Sequence, residues 1–214
     1  MRKGMPLLSD KYIEEHSSTP SEGLDWIVKQ THLRTNYPQM LSGPVQGQLL
    51  KMLVQMCGAR RVLEIGTFTG YSAVCLASGL PEDGHVDALE INDELEDIIL
   101  EGWERAGVSS RISLHLGDAC RLLETLPGPY DFIFMDANKR EYPRYYELVM
   151  PLLSSGGVIV ADDVMLGGKV CSDPPATDPQ TSGLREFNRI VAADPRVEQV
   201  IVPLRDGLGI IRKL

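Results

Sequence analysis

No stretch of this chain approaches the ~20 consecutive apolar residues that a membrane-crossing helix needs, so no membrane partner is expected. The opening MRKGMPLLSDKY is basic, but no apolar run follows it, and it does not read as a secretory leader. Cysteine is sparse. Cys57, Cys75, Cys120 and Cys171 show no C-x-x-C spacing, which argues against a zinc cluster or a disulfide framework and points to a reducing cytoplasm. Basic charge is short too, with 21 Lys and Arg against 30 Asp and Glu and a net charge of −9. Residues 1–60 carry 7 basic and 5 acidic side chains, residues 61–130 carry 4 and 13, and residues 131–214 carry 10 and 12. The middle third is therefore a poor surface for a polyanion, and a basic footprint for nucleic acid is missing. The chain also lacks the G-x-G-x-x-G turn of a dinucleotide fold, which disfavours a dehydrogenase.

What is present is an ordinary globular composition, 43% apolar and 24% charged over 214 residues. That length predicts one domain, residues 1–214, made of a helical cap (1–60) and an α/β core (61–214). The core is organised around RVLEIGTFTGYS, Arg61–Ser72. Val62, Leu63 and Ile65 form a buried parallel strand, Gly66 breaks it, and a helix of small residues starts after Gly70. Gly66 supplies a turn that a side chain would obstruct, and Gly70 lets the backbone approach a ligand. The helix start adds free N–H groups and a positive dipole end. Glu64 on the strand itself would repel a pyrophosphate and suits a cofactor that is cationic or neutral there. The bland alternative is a strand–turn–helix with a chance acid.

In the cap, Thr19-Pro20-Ser21-Glu22 reads as a capping box opening a helix to about Leu33. A second helix is expected from Gly43 to Met56, with Val45, Leu49, Met52, Leu53 and Met56 at helical spacing and Gly58 closing it. From Arg61 onward strands and helices alternate. Strands are expected at His85–Ile91, Arg111–Leu116, Tyr130–Met135 and Gly156–Ala161, and helices at Asp93–Arg105, Cys120–Leu126, Tyr142–Leu153 and Leu184–Ala193. Val197–Leu204 and Leu208–Lys213 read as a terminal hairpin. Alternation with short connections predicts a parallel, doubly wound sheet, and the hairpin implies one antiparallel strand.

Ligands of such sheets sit at the carboxyl ends of the strands. Here those ends carry Glu64 to Gly66, Glu90, Asp118, Asp136, and Asp162 with Asp163. Glu90 is placed to accept both hydroxyls of a ribose, or else it opens the helix behind it. Asp118 could bond an adenine amino group, cap the next helix, or both. Asp136, Asp162 and Asp163 come from neighbouring strands and would converge. An all-oxygen set without His or Cys suits a hard divalent ion, Mg²⁺, Ca²⁺ or Mn²⁺, unless these are salt-bridged loop acids. Lys139 reads as a general base if burial or the cation lowers its pKa, and otherwise as a solvent-facing lysine within Asn138-Lys139-Arg140.

LEIGTFTGYSAVCLA, ALEIND, GDA, YDFIFMDANKREYPRYYE, GGVIVADDVMLGGKV and AADPRVEQVIVPLRDGLGIIRK, in that order, resemble the cation-dependent O-methyltransferases, the caffeoyl-CoA and catechol enzymes and their bacterial relatives. The likeness runs from about Met40 to Leu214. It implies a class I methyltransferase (Rossmann-like) fold using S-adenosylmethionine, with a seven-stranded sheet whose last strand is antiparallel. It further implies that Glu64, Gly66, Thr67, Tyr71 and Ser72 line the methionine part of the cofactor, Glu90 holds the ribose, and Asp118 with Ala119 the adenine. Met40 and Ser42 would close over the cofactor. Asp136, Asp162 and Asp163 would bind the metal, with Asp136 also beside the cofactor in the catalytic centre and Lys139 as the base. Family members are commonly dimers, which implies a homodimer.

One departure stands out: the family usually has Asp-Asn where this chain has Asp162-Asp163. The added charge would leave an ion site of greater affinity or altered preference. The expected acceptor is a small molecule with adjacent hydroxyls, catechol or hydroxycinnamoyl in type. An alternative is a hydroxylated uridine of tRNA, faced by Lys3, Lys11, Lys29, Arg34 and Lys51, which the −9 charge opposes. A binding protein that holds S-adenosylmethionine without catalysis is the alternative of another class.

Overall fold

The computed structural model describes residues 8–18, 21–173 and 176–214. Seven strands, β1 (Arg61–Ile65), β2 (His85–Glu90), β3 (Ile112–Leu116), β4 (Tyr130–Met135), β5 (Leu153–Ala161), β6 (Val197–Val202) and β7 (Leu208–Lys213), form one sheet in the order β3-β2-β1-β4-β5-β7-β6. Strands β1 to β5 pair in parallel, and β7 runs antiparallel between β5 and β6. This is the doubly wound α/β sheet with one antiparallel strand that the alternation and the terminal hairpin predicted, seven-stranded as the resemblance implied.

Successive strand residues point to opposite faces. Val62, Val86, Phe132, Phe134 and Val160 close one face against α2 (Glu22–Arg34), α3 (Gly43–Cys57), α4 (Tyr71–Gly79) and α5 (Glu96–Arg105). Leu63, Ile65, Leu89, Ile133, Met135 and Ile159 close the other against α6 (Ala119–Leu123), α7 (Tyr142–Val149) and α8 (Pro179–Ala193). A short helix, α1 (Leu8–Glu15), precedes α2 in the cap.

Several boundaries differ from expectation. Thr19 and Pro20 of the proposed capping box lie outside the described residues; Ser21 is the N-cap of α2 and makes no side-chain cap bond. In α3 the inward residues are Gln46, Gly47, Leu50 and Val54, while Met52 and Met56 are exposed. Leu49 and Leu53 of that stripe still pack against the core, and α3 and α4 meet closely at glycines. A Cβ on Gly47 would lie 2.7 Å from Cys75 Sγ, and one on Gly79 would lie 2.6 Å from the Lys51 carbonyl. Helix α8 starts before Leu184, since Asp178 accepts from Thr181 N at 3.0 Å and Pro179 opens the first turn. Strand β5 starts before Gly156, at Leu153, where it pairs with Tyr130.

Candidate active site

The carboxyl ends of the strands are stitched into one rim by backbone bonds. Gly66 and Thr67 N–H donate to the Leu89 carbonyl at 3.0 and 3.1 Å, Asp136 N–H to Ile65 at 2.8 Å, and Asp162 N–H to Met135 at 2.9 Å. Gly66 (φ 89°) is required here: a Cβ would lie 2.6 Å from the Asp136 carbonyl oxygen. Gly70 has a packing role as well. Its missing Cβ makes room for Trp103, whose Nε1 donates to the Gly70 carbonyl at 3.2 Å.

On the β1–β2 side, Glu64 is fully buried, and its Oε2 accepts from the Thr67 hydroxyl. Its Oε1 has no partner. Burial pushes its pKa up to about 8, with the Ser72 and Thr67 hydroxyls pulling back and Asp136 and Glu90 adding to the rise. Glu90 is also buried. It accepts from Phe68 N at 2.7 Å, Ile91 N at 3.0 Å and Asn92 N at 2.9 Å, so it joins the glycine turn to the loop after β2. Asp118 caps α6 through Arg121 N at 3.1 Å, and Ala119 is the first residue of that helix. Tyr71 turns its ring into the core between α3 and α4, so only its backbone at the start of α4 is left for a ligand. Ile91, not among the expected site residues, is 72% exposed beside Glu90.

Met40 is exposed on a 3₁₀ turn, Pro38–Met40, and Ser42 is buried. That loop is tied to the terminal hairpin, since Arg205 Nη1 donates to the Leu41 carbonyl at 2.7 Å and also to that of Ser42. A second tie runs from Thr31 Oγ1 in α2 to Thr69 Oγ1 in the glycine turn, 2.8 Å apart.

On the β4–β5 side, Asp136, Asp162 and Asp163 each offer a carboxylate oxygen, and these atoms lie within 4.8 Å of one another. Three oxygen ligands without His or Cys fit a hard divalent cation. Lys139 is buried rather than solvent-facing. Its Nζ lies 2.6 Å from Asp136 Oδ1, 2.9 Å from Tyr142 Oη and 3.4 Å from Asp163 Oδ2. Burial alone would lower its pKa as expected, but Asp136, Tyr142 and Asp163 outweigh it and hold the ammonium well above its ordinary range. Tyr142, not anticipated as a site residue, lies 2.9 and 3.0 Å from the Met135 and Asp162 carbonyls and so locks the two strand ends together. It stands three residues after Lys139, one turn along, which was the available signal. Among the described residues, the non-glycine residues with left-handed backbone, Phe68, Asp163, Leu166 and Arg205, all lie in the turns of this rim. Such strain collects at sites where geometry is imposed by function.

A family model described as O-methyltransferase matches residues 14–214. The chain belongs to that family. A probable caffeoyl-CoA O-methyltransferase of Arabidopsis thaliana is 36% identical to this O-methyltransferase, over 95% of the chain and 93% of its relative. Tricin synthase 2 of Oryza sativa subsp. japonica is 35% identical over 83% of the chain, which spans 65% of that enzyme. Among solved structures, the Bacillus cereus O-methyltransferase in complex with SAH superposes with a TM-score of 0.90 at 33% identity, covering 96% of this chain and 97% of its own. A Streptomyces achromogenes O-methyltransferase involved in tomaymycin synthesis, solved with SAM, gives 0.90 at 32% identity, covering 96% and 95%.

Proposed function

We propose that this O-methyltransferase moves the methyl group of S-adenosylmethionine to one hydroxyl of a small acceptor carrying two adjacent oxygens, with a divalent cation at the three aspartates. The carrying observation is the convergence of Asp136, Asp162 and Asp163 with the buried Lys139 Nζ 2.6 Å from Asp136 Oδ1. When bound, S-adenosylmethionine supplies an electrophilic methyl, and the cation supplies Lewis acidity to an acceptor oxygen.

The chain's own residues do the holding and the proton work. Glu64 places a buried carboxyl with a free Oε1 beside the glycine turn, suited to a cationic amino-acid head. Glu90, already accepting from three backbone N–H groups, keeps at most one lone pair, on Oε2, for a ribose hydroxyl. Ile91 offers an open apolar face to a flat base, and Asp118 with Ala119 would hold the adenine. Met40 and Ser42 would close over the cofactor, on a loop that Arg205 ties to the terminal hairpin. Lys139 is held protonated by Asp136 and Asp163. With those carboxylates engaged by a cation, that support would fall away; Nζ would then release its extra proton to solvent and, as the neutral amine, be placed to accept the acceptor's hydroxyl proton. Orientation and electrostatics then carry the catalysis.

Other supports are coarser. The described cysteines are all free, which fits a reducing cytoplasm, and no helix among the described residues is long and apolar enough to cross a membrane. Exposed Met52 and Met56 on α3 and Val200 on edge strand β6 favour a homodimer. Transfer of labelled methyl to catechol with Mg²⁺, lost on adding excess chelator, tests the reading. Turnover that survives chelation would refute the metal-dependent mechanism.

A further inference from the structure

Among the described residues, two buried side-chain polar atoms lack a hydrogen-bond partner, Glu64 Oε1 and Gln46 Oε1. Glu64 has a role in the reading above. Gln46 has none, although it is 1% exposed on the inward face of α3, next to positions closed by Leu50 and Val54. Its Nε2 donates to Asp162 Oδ2 at 2.7 Å, across 116 positions of chain. The other oxygen, Asp162 Oδ1, accepts from Asp163 N at 2.9 Å. The carboxylate is therefore held at both ends, and its plane is not free to turn. The amide orientation follows from chemistry, because only its N–H₂ can face a carboxylate oxygen. Burying an amide with its own oxygen unpaired is unfavourable, so packing does not account for glutamine here. The donor does.

We propose that Gln46 is a positioning residue for the ion site: it fixes the direction in which Asp162 offers its remaining lone pairs to a divalent cation, and so ties α3 of the cap to that site. This rests on the three-aspartate ion site proposed above. Hydrogen-bond partners of ligating carboxylates typically affect metal affinity about 10–100-fold.

The test is calorimetric titration of Mn²⁺ alone, and separately of S-adenosylhomocysteine, into the ligand-free full chain and its Gln46→Met variant, which keeps side-chain length without the donor. The expected result is Mn²⁺ binding weakened about 10–100-fold with S-adenosylhomocysteine affinity kept within about twofold. A Mn²⁺ loss smaller than about threefold overturns the inference. Joint loss of both ligands also overturns it, since Gln46 would then only hold the fold. If the parent chain binds S-adenosylhomocysteine but no Mn²⁺, the ion site itself is wrong and the inference goes with it.

Discussion

The sheet buries acids in two places, and the surrounding protein treats them differently. Toward the amino ends of β1 and β4, Asp87 accepts from Tyr130 Oη at 2.9 Å and lies 2.8 Å from His115 Nε2, with Arg61 Nη2 3.7 Å away. Arg61 also stacks over the Tyr130 ring, 4.8 Å from its centroid. Both Asp87 oxygens are matched by protein groups. At the carboxyl ends, Glu64 leaves an oxygen unpaired, and Asp136 and Asp163 share the single ammonium of Lys139 with Asp162 alongside. The first cluster is satisfied by its own neighbours, as a structural one is; the second is left short of partners, which is where we propose that a ligand completes it.

Four substitutions would break or sharpen that contrast. The largest effect is expected from Lys139→Met, which should lower kcat about 10²–10⁴-fold, the range of a general base, while S-adenosylhomocysteine affinity in calorimetry stays within about twofold. Equal losses in both would make Lys139 structural. Tyr130→Phe should do the reverse, lowering stability by ~1–2 kcal/mol through the lost bond to Asp87 and leaving kcat/KM unchanged; denaturant melts and initial rates read the two. Glu64→Gln separates the clusters by pH. Burial raises the Glu64 pKa from 4.5 to about 8, so the ligand-free native state binds this proton more tightly than the unfolded chain. The resulting stability is fully present below pH 4.5 and is lost as pH rises toward about 8. The variant should flatten that slope between pH 5 and 8 in melting curves and weaken S-adenosylmethionine about tenfold, a single charge-assisted contact. An unchanged slope would place the protonation elsewhere. Asp163→Asn should act least, shifting the preference among Mg²⁺, Ca²⁺ and Mn²⁺ by a few fold as one charge leaves the site; identical titrations would show that the extra charge is idle.

The parts of this molecule legible in the sequence are those that depend on local pattern. Strand cores such as YDFIFM and the acids that end them follow from period and position alone, and Gly58 closes α3 in the left-handed conformation as its placement predicted. What escaped depends on contacts between distant segments. Lys139 sits in a polar Asn-Lys-Arg run, and only the fold buries it against Asp136 and Tyr142. Gln46 lies on a helix whose apolar spacing pointed to a neighbouring face, and its partner is 116 positions away. Gly70 reads as a glycine for ligand approach, and nothing local in the sequence shows that Trp103, from another helix, also needs its missing Cβ.

The most direct test is a crystal of the chain with Mn²⁺ and S-adenosylhomocysteine, with anomalous data at the manganese edge. A peak among Asp136, Asp162 and Asp163, with Lys139 Nζ withdrawn from Asp136 Oδ1, is the predicted result. Bound S-adenosylhomocysteine with no manganese there, and Lys139 still paired with Asp136, would contradict the account.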